Sequence, residues 1–419
     1  WSPLILAKHK NDDGTMEFYF SSDVQSLSWL AKEYIYLDDG ELAYINGQDY
    51  IIKLEQQVVN KSFEILQLSE QDTEKGWYNH FMLKEIHEQP AVIRRILKWR
   101  VNIENWVLDA DALDYIETLS LKKIVIIWCG TSYHAWLLGA TRINQLAKID
   151  VSVKIASEYL YENISVDDHT LFIFVSQSGE TADSIEVLKY LKSQWAKTLW
   201  IVNVVWSSIS RLTDAGMFTR CGYEIGVAST KAFMWQAVCF LIIWFFLWKK
   251  GWMNHIEYKE ILRNLQLLPT LLESILSDTK DIENLADLVA TFENIFFLGR
   301  STHYPIAMEW SLKMKEISYI HSEAYPAWEL KHGPLALISP QFLSIIVCPD
   351  DRVYQQNVNT IHEIKARDGI VIALSTTKQD KADKTLLIPV IHELFYPLVE
   401  TLVLQLLSYY VAKKLGREI

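Results

Sequence analysis

A segment rich in hydroxyl groups lies between a predicted strand and a predicted helix. The apolar run 171–175 leads into Ser176-Gln177-Ser178-Gly179-Glu180-Thr181, and a helical pattern begins at Ala182. Backbone N–H groups and the positive end of the helix would converge here on one point, which suits a phosphate. The alternative is that the hydroxyls of Ser176, Ser178 and Thr181 only cap the helix. Local sequence alone does not separate the two interpretations.

A second loop of the same kind is Cys129-Gly130-Thr131-Ser132, which also follows an apolar run and precedes a helical pattern. Ligands of open α/β sheets bind at the carboxyl ends of the strands, so we expect Thr131 and Ser132 to lie at the same sheet edge as the first loop. Two hydroxyl-rich loops at one edge favour a phosphosugar as the ligand. Cys129 is a candidate nucleophile, but no histidine relay accompanies it, and packing is the favoured role.

The third chemically informative segment is a cluster of ionisable residues. Lys313 and Glu316 are three positions apart on a predicted helix, so their side chains share a face, and an exposed salt bridge is the ordinary explanation. The next positions add further ionisable groups, namely His321, Glu323, Glu329, Lys331 and His332. A carboxylate can abstract a proton beside a carbonyl, and an imidazole can move a proton onto a sugar ring oxygen. These are the two proton transfers of an aldose–ketose isomerisation.

The elements that would position these residues form a repeating pattern. From Lys122 onward short apolar strands alternate with helical segments, which is typical of a parallel α/β sheet. The alternation then recurs with an offset of about 170 residues, which indicates a tandem duplication of one domain. The predicted fold class is therefore α/β, with two tandem domains of parallel sheet flanked by helices and a β-rich region before them.

The expected domain organisation follows from these changes of pattern. It consists of a β-rich region at 1–72, a helical linker at 73–112, a first α/β domain at 113–255, connecting helices at 256–283 and a second α/β domain at 284–419.

Composition narrows the classes of partner. The net charge of −12 over 419 residues argues against nucleic acid and anionic membranes, which both reward clustered Lys and Arg. The four cysteines are scattered without metal-ligand spacing, so we expect free thiols in the cytoplasm and no metal site. The apolar segment 232–248 falls short of the roughly 20 residues of a spanning helix, and a buried helix is favoured.

Five stretches together carry a resemblance to a known family. They are KGWYNHFMLKEIHEQP, CGTSYHA, SQSGETADS, EIGVASTKAF and MEWSLKMKEISYIHSEAYPAWELKHGPLAL. The chain closely resembles the bacterial glutamine–fructose-6-phosphate aminotransferase (isomerising) family throughout its length. The resemblance implies two sugar isomerase (SIS) domains, preceded by the end of an Ntn-type glutaminase domain. It also implies that fructose 6-phosphate and glutamine-derived ammonia are converted to glucosamine 6-phosphate, without a metal or organic cofactor.

The resemblance assigns roles to individual residues. It implies a fructose 6-phosphate site formed by Thr131, Ser132, Ser176, Gln177, Ser178, Thr181 and Val227, in which Ser176, Gln177, Ser178 and Thr181 take the phosphate. Glu316 would move the proton between C1 and C2, with Lys313 beside it. His332 would open the sugar ring from the partner subunit, which implies a homodimer.

The resemblance also has limits. It aligns Trp1 with a late part of the glutaminase domain and Ile419 with a point before the family's C-terminal tail and its essential lysine, so we expect a fragment. Glutamine would then be used through the missing domain. The alternatives are a stand-alone phosphosugar isomerase or ammonia-dependent synthase, or a non-enzymatic SIS-domain sensor of sugar phosphates.

Glycine and tryptophan occur in unusual numbers. The chain has 15 glycines, about half of the usual content of about 7%, and 16 tryptophans. Trp195 follows a helical pattern where a left-handed cap residue is expected, and Trp206 stands at a strand end. Several tryptophans fall on glycines of the family, namely Trp1, Trp77, Trp136, Trp195, Trp206, Trp310 and Trp328. Our hypothesis is that most of them are glycine in the cell, encoded by UGA codons that the organism reads as glycine.

Overall fold

Short antiparallel strands form the N-terminal region of the computed structural model, which describes residues 4–22, 25–27, 30–38, 40–65, 74–102, 107–108, 111–146, 149–205, 207–251 and 255–419. The strands are β1 (Leu4–Lys10), β2 (Met16–Ser21), β3 (Glu33–Leu37), β4 (Glu41–Asn46), β5 (Asp49–Leu54), β6 (Gln57–Val58) and β7 (Glu64–Ile65). They form two sheets in the orders β2-β1-β3-β7 and β4-β5-β6. The predicted β-rich region is thus present.

A long helix connects this region to the rest of the chain. Helix α1 (Phe81–Arg100) is followed by the short strands β8 (Val101–Asn102) and β9 (Val107–Leu108) and by helix α2 (Asp111–Thr118). The buried face of α1 carries the apolar residues Met82, Ile86, Val92, Ile93 and Ile96. Their spacing of three to four residues gives an apolar stripe that packs on the core of the molecule.

The first α/β domain is built on a sheet of five parallel strands. These are β10 (Lys123–Trp128), β11 (Asp150–Ile155), β12 (Thr170–Ser176), β13 (Lys197–Val202) and β14 (Ala215–Phe218), in the order β11-β10-β12-β13-β14. Its helices are α3 (Thr131–Leu146), α4 (Ala156–Tyr159), α5 (Ala182–Ser193), α6 (Ser208–Leu212) and α7 (Lys231–Gly251). Every residue of β12 is buried, as the near-continuous apolar run predicted.

The second α/β domain repeats this topology after the connecting helices α8 (His255–Ser277) and α9 (Lys280–Val289). Its parallel strands are β15 (Asn294–Gly299), β16 (His321–Pro326), β17 (Leu343–Val347), β18 (Ile370–Ser375) and β19 (Lys384–Leu387), in the order β16-β15-β17-β18-β19. Its helices are α10 (His303–Ser318), α11 (Tyr354–Lys365) and α12 (Tyr396–Lys414). The identical strand order confirms the predicted duplication and fold class.

Two helices are long and apolar enough to cross a membrane by length and composition. The segments are Lys231–Trp248 and Glu393–Lys414, and the apolar 18-residue windows within them are 94% and 100% buried inside the protein. Helix α7 packs against α3, and α12 packs against α10. Both therefore serve as core helices, as we expected for segment 232–248.

The two α/β domains contact each other through equivalent helices, each of which begins at the carboxyl edge of its own sheet. Helix α3 of the first domain packs directly against α10 of the second. Both start just after the first strand of their sheet, so the duplicated units meet through equivalent helices. This arrangement brings Thr131, at the start of α3, beside the ionisable face of α10.

The structure describes some, but not all, of the tryptophans that the sequence singled out. Trp195 has a φ of 60°, so its backbone is in the left-handed conformation that the pattern predicted for the end of α5. Trp1 and Trp206 lie outside the described residues.

Candidate active site

The hydroxyl-rich loop between β12 and α5 is held together by its own side chains. The Ser176 hydroxyl accepts a hydrogen bond from the Gly179 N–H at 2.9 Å and lies 3.1 Å from the Thr181 hydroxyl. The Ser178 hydroxyl accepts from the Glu180 N–H at 3.1 Å. Gly179 turns the chain with a φ of 70°, a conformation that costs glycine little. The loop therefore wraps around the N-terminus of α5.

The capping alternative requires a hydroxyl bonded to an N–H group of the helix itself. Thr181 is the N-cap residue of α5 and makes no such side-chain bond. Ser176 and Ser178 bond to N–H groups of the loop, before the helix begins. The geometry does not support helix capping as the purpose of these three residues, and their role in binding phosphate stays a prediction.

Asn203, at the end of β13, ties this loop to a neighbouring segment, and sequence reasoning missed it. Its N–H donates to the Gln177 carbonyl at 3.2 Å, and its side-chain amide donates to the Gly222 carbonyl at 2.7 Å. The segment that begins at Gly222 leads to Val227, whose side chain is 78% exposed. The candidate phosphate loop and the Val227 segment thus share one anchor.

The second loop makes direct contact with the second domain. Lys313 Nζ on α10 donates to the Thr131 hydroxyl at 3.1 Å, and that hydroxyl donates to Glu309 Oε1 at 3.3 Å. His134 Nδ1, one turn further along α3, lies 2.7 Å from Glu309 Oε2. Ser132 is buried beside Thr131. One polar network therefore joins the predicted substrate loop to the predicted catalytic helix.

Lys313 is the centre of this network. Its Nζ lies 2.6 Å from Glu316 Oε2 and 3.5 Å from Glu309 Oε1, and its side chain is 1% exposed. Burial opposes the charge, but the carboxylates of Glu309 and Glu316 outweigh burial and raise the pKa of Lys313 above its usual value. The lysine therefore remains a cation. The ordinary explanation of an exposed salt bridge is wrong for this pair.

Glu309 and His134 were not predicted from the sequence, although a signal existed for Glu309. It stands four positions before Lys313, so it shares the helix face of the lysine. His134 carries no such signal because its partner lies 175 positions away along the chain.

Helix α10 is anchored at its first residue by a buried histidine. His303 is fully buried, with Nδ1 2.9 Å from Glu400 Oε2 on α12 and Nε2 2.9 Å from Asp351 Oδ2 after β17. Burial opposes protonation, but the two carboxylates prevail and raise the pKa of His303 to about 9. An imidazolium at neutral pH thus fixes the helix that carries Lys313 and Glu316.

His332 is not part of the Lys313 hydrogen-bond network among the described residues. It is exposed at the end of the 3-10 turn Glu329–His332, before Gly333 with its φ of 139°. Within the described part of the chain, no hydrogen bond or ion pair joins His332 to Glu316. The structure brings Thr131, Lys313 and Glu316 together, and no hydrogen bond among the described residues joins His332 to them.

Cys129 has the properties of a packing residue. It is partly buried, its Sγ lies 4.0 Å from the Ser184 hydroxyl, and burial raises the pKa of its thiol. A raised pKa lowers the fraction of thiolate, which is the nucleophilic form.

Comparison with known proteins first defines the class. The chain matches the SIS domain family at residues 119–243 and 290–414, one match in each α/β domain. The tagatose-6-phosphate ketose/aldose isomerase from Escherichia coli shares the fold, with a TM-score of 0.66 at 16% identity over 81% of this chain and 94% of that one. The chain is thus a tandem SIS-domain protein.

Closer relatives define the particular family. The glutamine–fructose-6-phosphate aminotransferase (isomerising) of Bacteroides thetaiotaomicron is 40% identical over 100% of this chain and 69% of its own length. The C-terminal domain of glucosamine–fructose-6-phosphate aminotransferase from Francisella tularensis superposes with a TM-score of 0.78 at 37% identity, covering 83% of this chain and 99% of that one. The chain belongs to the glutamine–fructose-6-phosphate aminotransferase (isomerising) family, and it carries the family's isomerase half.

The phosphate role of the first loop can be separated from a structural one. We expect Ser178→Ala and Thr181→Ala to weaken fructose 6-phosphate binding roughly tenfold or more, since a hydrogen bond to a charged group contributes about 1.5–3 kcal/mol. Calorimetric titration measures the affinity, and thermal unfolding measures the stability.

Ser193→Ala at the other end of α5 is the matched control, because its hydroxyl makes only local bonds, donating to the Tyr190 carbonyl and accepting from the Gln194 side chain. Unchanged affinity combined with a stability loss of about 1 kcal/mol in the loop variants would return the loop to the capping interpretation.

Proposed function

We propose that this chain binds fructose 6-phosphate between its two SIS domains and converts it, with ammonia derived from glutamine, to glucosamine 6-phosphate. The observation that carries the proposal is the network in which Lys313 contacts Thr131 of the first domain and Glu316 of the second. It places a cation and a carboxylate beside one of the two hydroxyl-rich loops. Full-length similarity to aminotransferases of this name supports the same reaction.

The sugar phosphate would be held at the carboxyl edge of the first sheet. Ser176, Gln177, Ser178 and Thr181 would take the phosphate at the N-terminus of α5, where N–H groups and the helix dipole favour an anion. Thr131, Ser132 and Val227 would contact the sugar. An overall charge of −12 does not oppose this, because the local field is set by the helix end and by Lys313.

Glu316 would transfer the proton between C1 and C2. Its side chain is 33% exposed, so substrate can reach it, and the Lys313 hydrogen bond of 2.6 Å fixes its position. Removal of a proton beside a carbonyl leaves negative charge on the substrate oxygen. A preorganised ammonium such as that of Lys313 stabilises such charge more than water does.

His332 would complete the site of a second copy of the chain. The residue is exposed and makes no hydrogen bond or ion pair with Glu316 among the described residues, and we assign ring opening to a homodimer in which each site takes this histidine from the partner. The protein would act in the cytoplasm, consistent with the burial of both long apolar helices.

The glutaminase step would take place in the part of the relatives' sequence that lies outside the match to this chain. The chain spans 69% of the length of its Bacteroides relative, and the match includes the β-rich region before α1. We assign that region to the end of an Ntn-type glutaminase domain. Ammonia released there would react at the sugar site of the SIS domains.

Substitution of Glu316 tests the proton transfer. Glu316→Gln preserves the shape of the side chain but removes its basicity, and loss of a general base lowers turnover by about a hundred- to ten-thousandfold. Fructose 6-phosphate affinity should stay close to that of the parent. Glu323→Gln, which removes an exposed carboxylate from the adjacent strand β16, serves as the control and should retain activity. Turnover at the parental rate in Glu316→Gln would disprove the assignment.

The shared site can be tested by mixing two inactive variants. If Glu316 and His332 act in one site from different subunits, a dimer of Glu316→Gln with His332→Ala contains one intact site. Random co-assembly should then restore about a quarter of the parental activity, since half of the dimers are mixed. If both residues act within one subunit, each site of the mixed dimer lacks one group, and coexpression restores no activity.

A further inference from the structure

Helix α1 precedes both SIS domains in the chain but contacts the segment that carries Val227. Glu85 on α1 is 2% exposed, and its Oε1 accepts hydrogen bonds from the backbone N–H groups of Ile225 at 2.6 Å and Gly226 at 3.0 Å. A side chain of the linker helix thus holds the backbone of a loop in the first domain.

The loop Glu224–Thr230 is closed by its own first residue. The Glu224 carboxylate accepts from the Ser229 hydroxyl at 2.9 Å and from the Thr230 N–H at 2.7 Å. A Cβ atom at Gly226 would lie 2.8 Å from Glu85 Oε2 and 3.3 Å from the Met82 nitrogen, so the loop backbone packs directly on α1. Val227 is left exposed on this closed loop.

The loop is therefore held from two sides. On one side, Asn203 bonds to Gly222, two residues before the loop, and to Gln177 of the candidate phosphate loop. Glu85 holds Ile225 and Gly226 on the other side. The position of Val227 relative to the phosphate loop depends on both anchors.

Placing a carboxyl group here is energetically unfavourable. Burial and the nearby Glu224 raise the pKa of Glu85 to about 7, although the two loop N–H groups and Lys231 oppose the shift. Its Oε2 has no hydrogen-bond partner among the described residues. An apolar side chain would avoid this desolvation but would leave the partly buried N–H groups of Ile225 and Gly226 without this acceptor. The loop N–H groups are thus the reason for a carboxyl group at this position.

We propose that Glu85 is a positioning residue for sugar-phosphate binding, which holds the loop Glu224–Thr230 so that Val227 stays beside the phosphate loop. The inference rests on the proposed function, from which the role of Val227 comes. Glu85 touches no reacting atom, so it acts on substrate binding and not on the proton transfer.

Two variants and one control test this role in the full-length enzyme. Glu85→Ala removes the acceptor and raises the KM and Kd for fructose 6-phosphate about tenfold, with kcat unchanged within about threefold. Glu85→Gln keeps an acceptor oxygen and restores affinity close to that of the parent. The control is Glu273→Gln on α8. It removes an exposed carboxylate that pairs at 2.6 Å with Arg94, which lies on α1 like Glu85, and it leaves the parental KM.

Hydrogen exchange of the loop peptide provides a readout that does not depend on substrate. The amides of Ile225 and Gly226 exchange faster in Glu85→Ala than in the parent and in Glu85→Gln. Unchanged exchange, or an unchanged KM in Glu85→Ala, overturns the inference. A parent enzyme that binds no fructose 6-phosphate contradicts the proposed function itself, whereas a parent that binds it equally well as Glu85→Ala contradicts only the role of Glu85.

A separate set of observations concerns the tryptophans. Trp195 follows α5 in a Schellman motif, with its N–H bonded to the Lys192 carbonyl and the Ala196 N–H bonded to the Leu191 carbonyl, both at 3.1 Å. Its φ is 60° and its side chain is 92% exposed. Glycine is the usual residue at this position, because a Cβ atom is strained there and the exposed indole gains no packing.

Buried tryptophans show a second anomaly. The indole N–H groups of Trp128, Trp136, Trp244 and Trp310 are buried without an acceptor among the described residues. Buried indoles normally donate a hydrogen bond, so four unpaired groups in one domain pair are unusual. Trp77 has the opposite fault, since it is fully exposed.

We infer that several of these positions, including Trp136, Trp195, Trp310 and Trp328, are glycine in the protein made by its own organism. That organism would read the UGA codons at these positions as glycine. Mass spectrometry of the protein purified from that organism decides the question, and a peptide covering Ala327–Lys331 should carry glycine at position 328. Recombinant Trp195→Gly should melt above Trp195→Ala, because only glycine adopts the left-handed cap without strain. Tryptophan at 328 in the native peptide overturns the inference.

Discussion

The buried ammonium of Lys313 is the interaction on which the arrangement of the site depends. An unpaired cation in the interior is unstable, and removal of one partner from a buried ion pair typically costs about 3–5 kcal/mol. Lys313 satisfies its charge with Glu309 and Glu316 of its own helix and donates to Thr131 across the domain boundary. Thr131 starts α3, whereas Lys313, Glu309 and Glu316 lie on α10. The hydrogen bonds and ion pairs of Lys313 therefore fix how the two SIS domains pack against each other.

The two duplicated domains carry chemically different residues at equivalent positions. After the third strand of the first sheet stands the hydroxyl-rich loop, whereas after β17 of the second sheet stand Cys348-Pro349-Asp350-Asp351. Two carboxylates would repel a phosphate, and Asp351 instead bonds to His303 at the start of α10. The first sheet edge thus carries the loop for which we propose phosphate binding, and the second edge fixes the helix that carries the proposed base Glu316.

Local sequence patterns predicted the elements and the loops but not the pairing between them. The buried strand 171–175, the repeated topology and the left-handed residue at 195 all follow from short-range rules of burial and capping. His134 and Asn203 escaped because their partners come from other elements, and for Glu309 the spacing to Lys313 was a signal but its contacts with Thr131 and His134 come from α3. The same limit explains why spacing alone left an exposed salt bridge as the ordinary explanation for Lys313 and Glu316, since spacing shows a shared helix face but not that α3 covers it.

The buried polar side chains of the linker helix α1 fix its packing position more narrowly than its apolar side chains do. Besides Glu85, α1 uses Gln89 to bond to Gln405 of α12, and Gln405 in turn donates to the Thr230 carbonyl at 3.1 Å. His80, just before the helix, lies 2.9 Å from the Tyr409 hydroxyl. Apolar contacts tolerate sliding, whereas buried hydrogen bonds hold only at one register. Helix α1, which follows the β-rich region in the chain, therefore holds the loop Glu224–Thr230 and α12 in a single relative position.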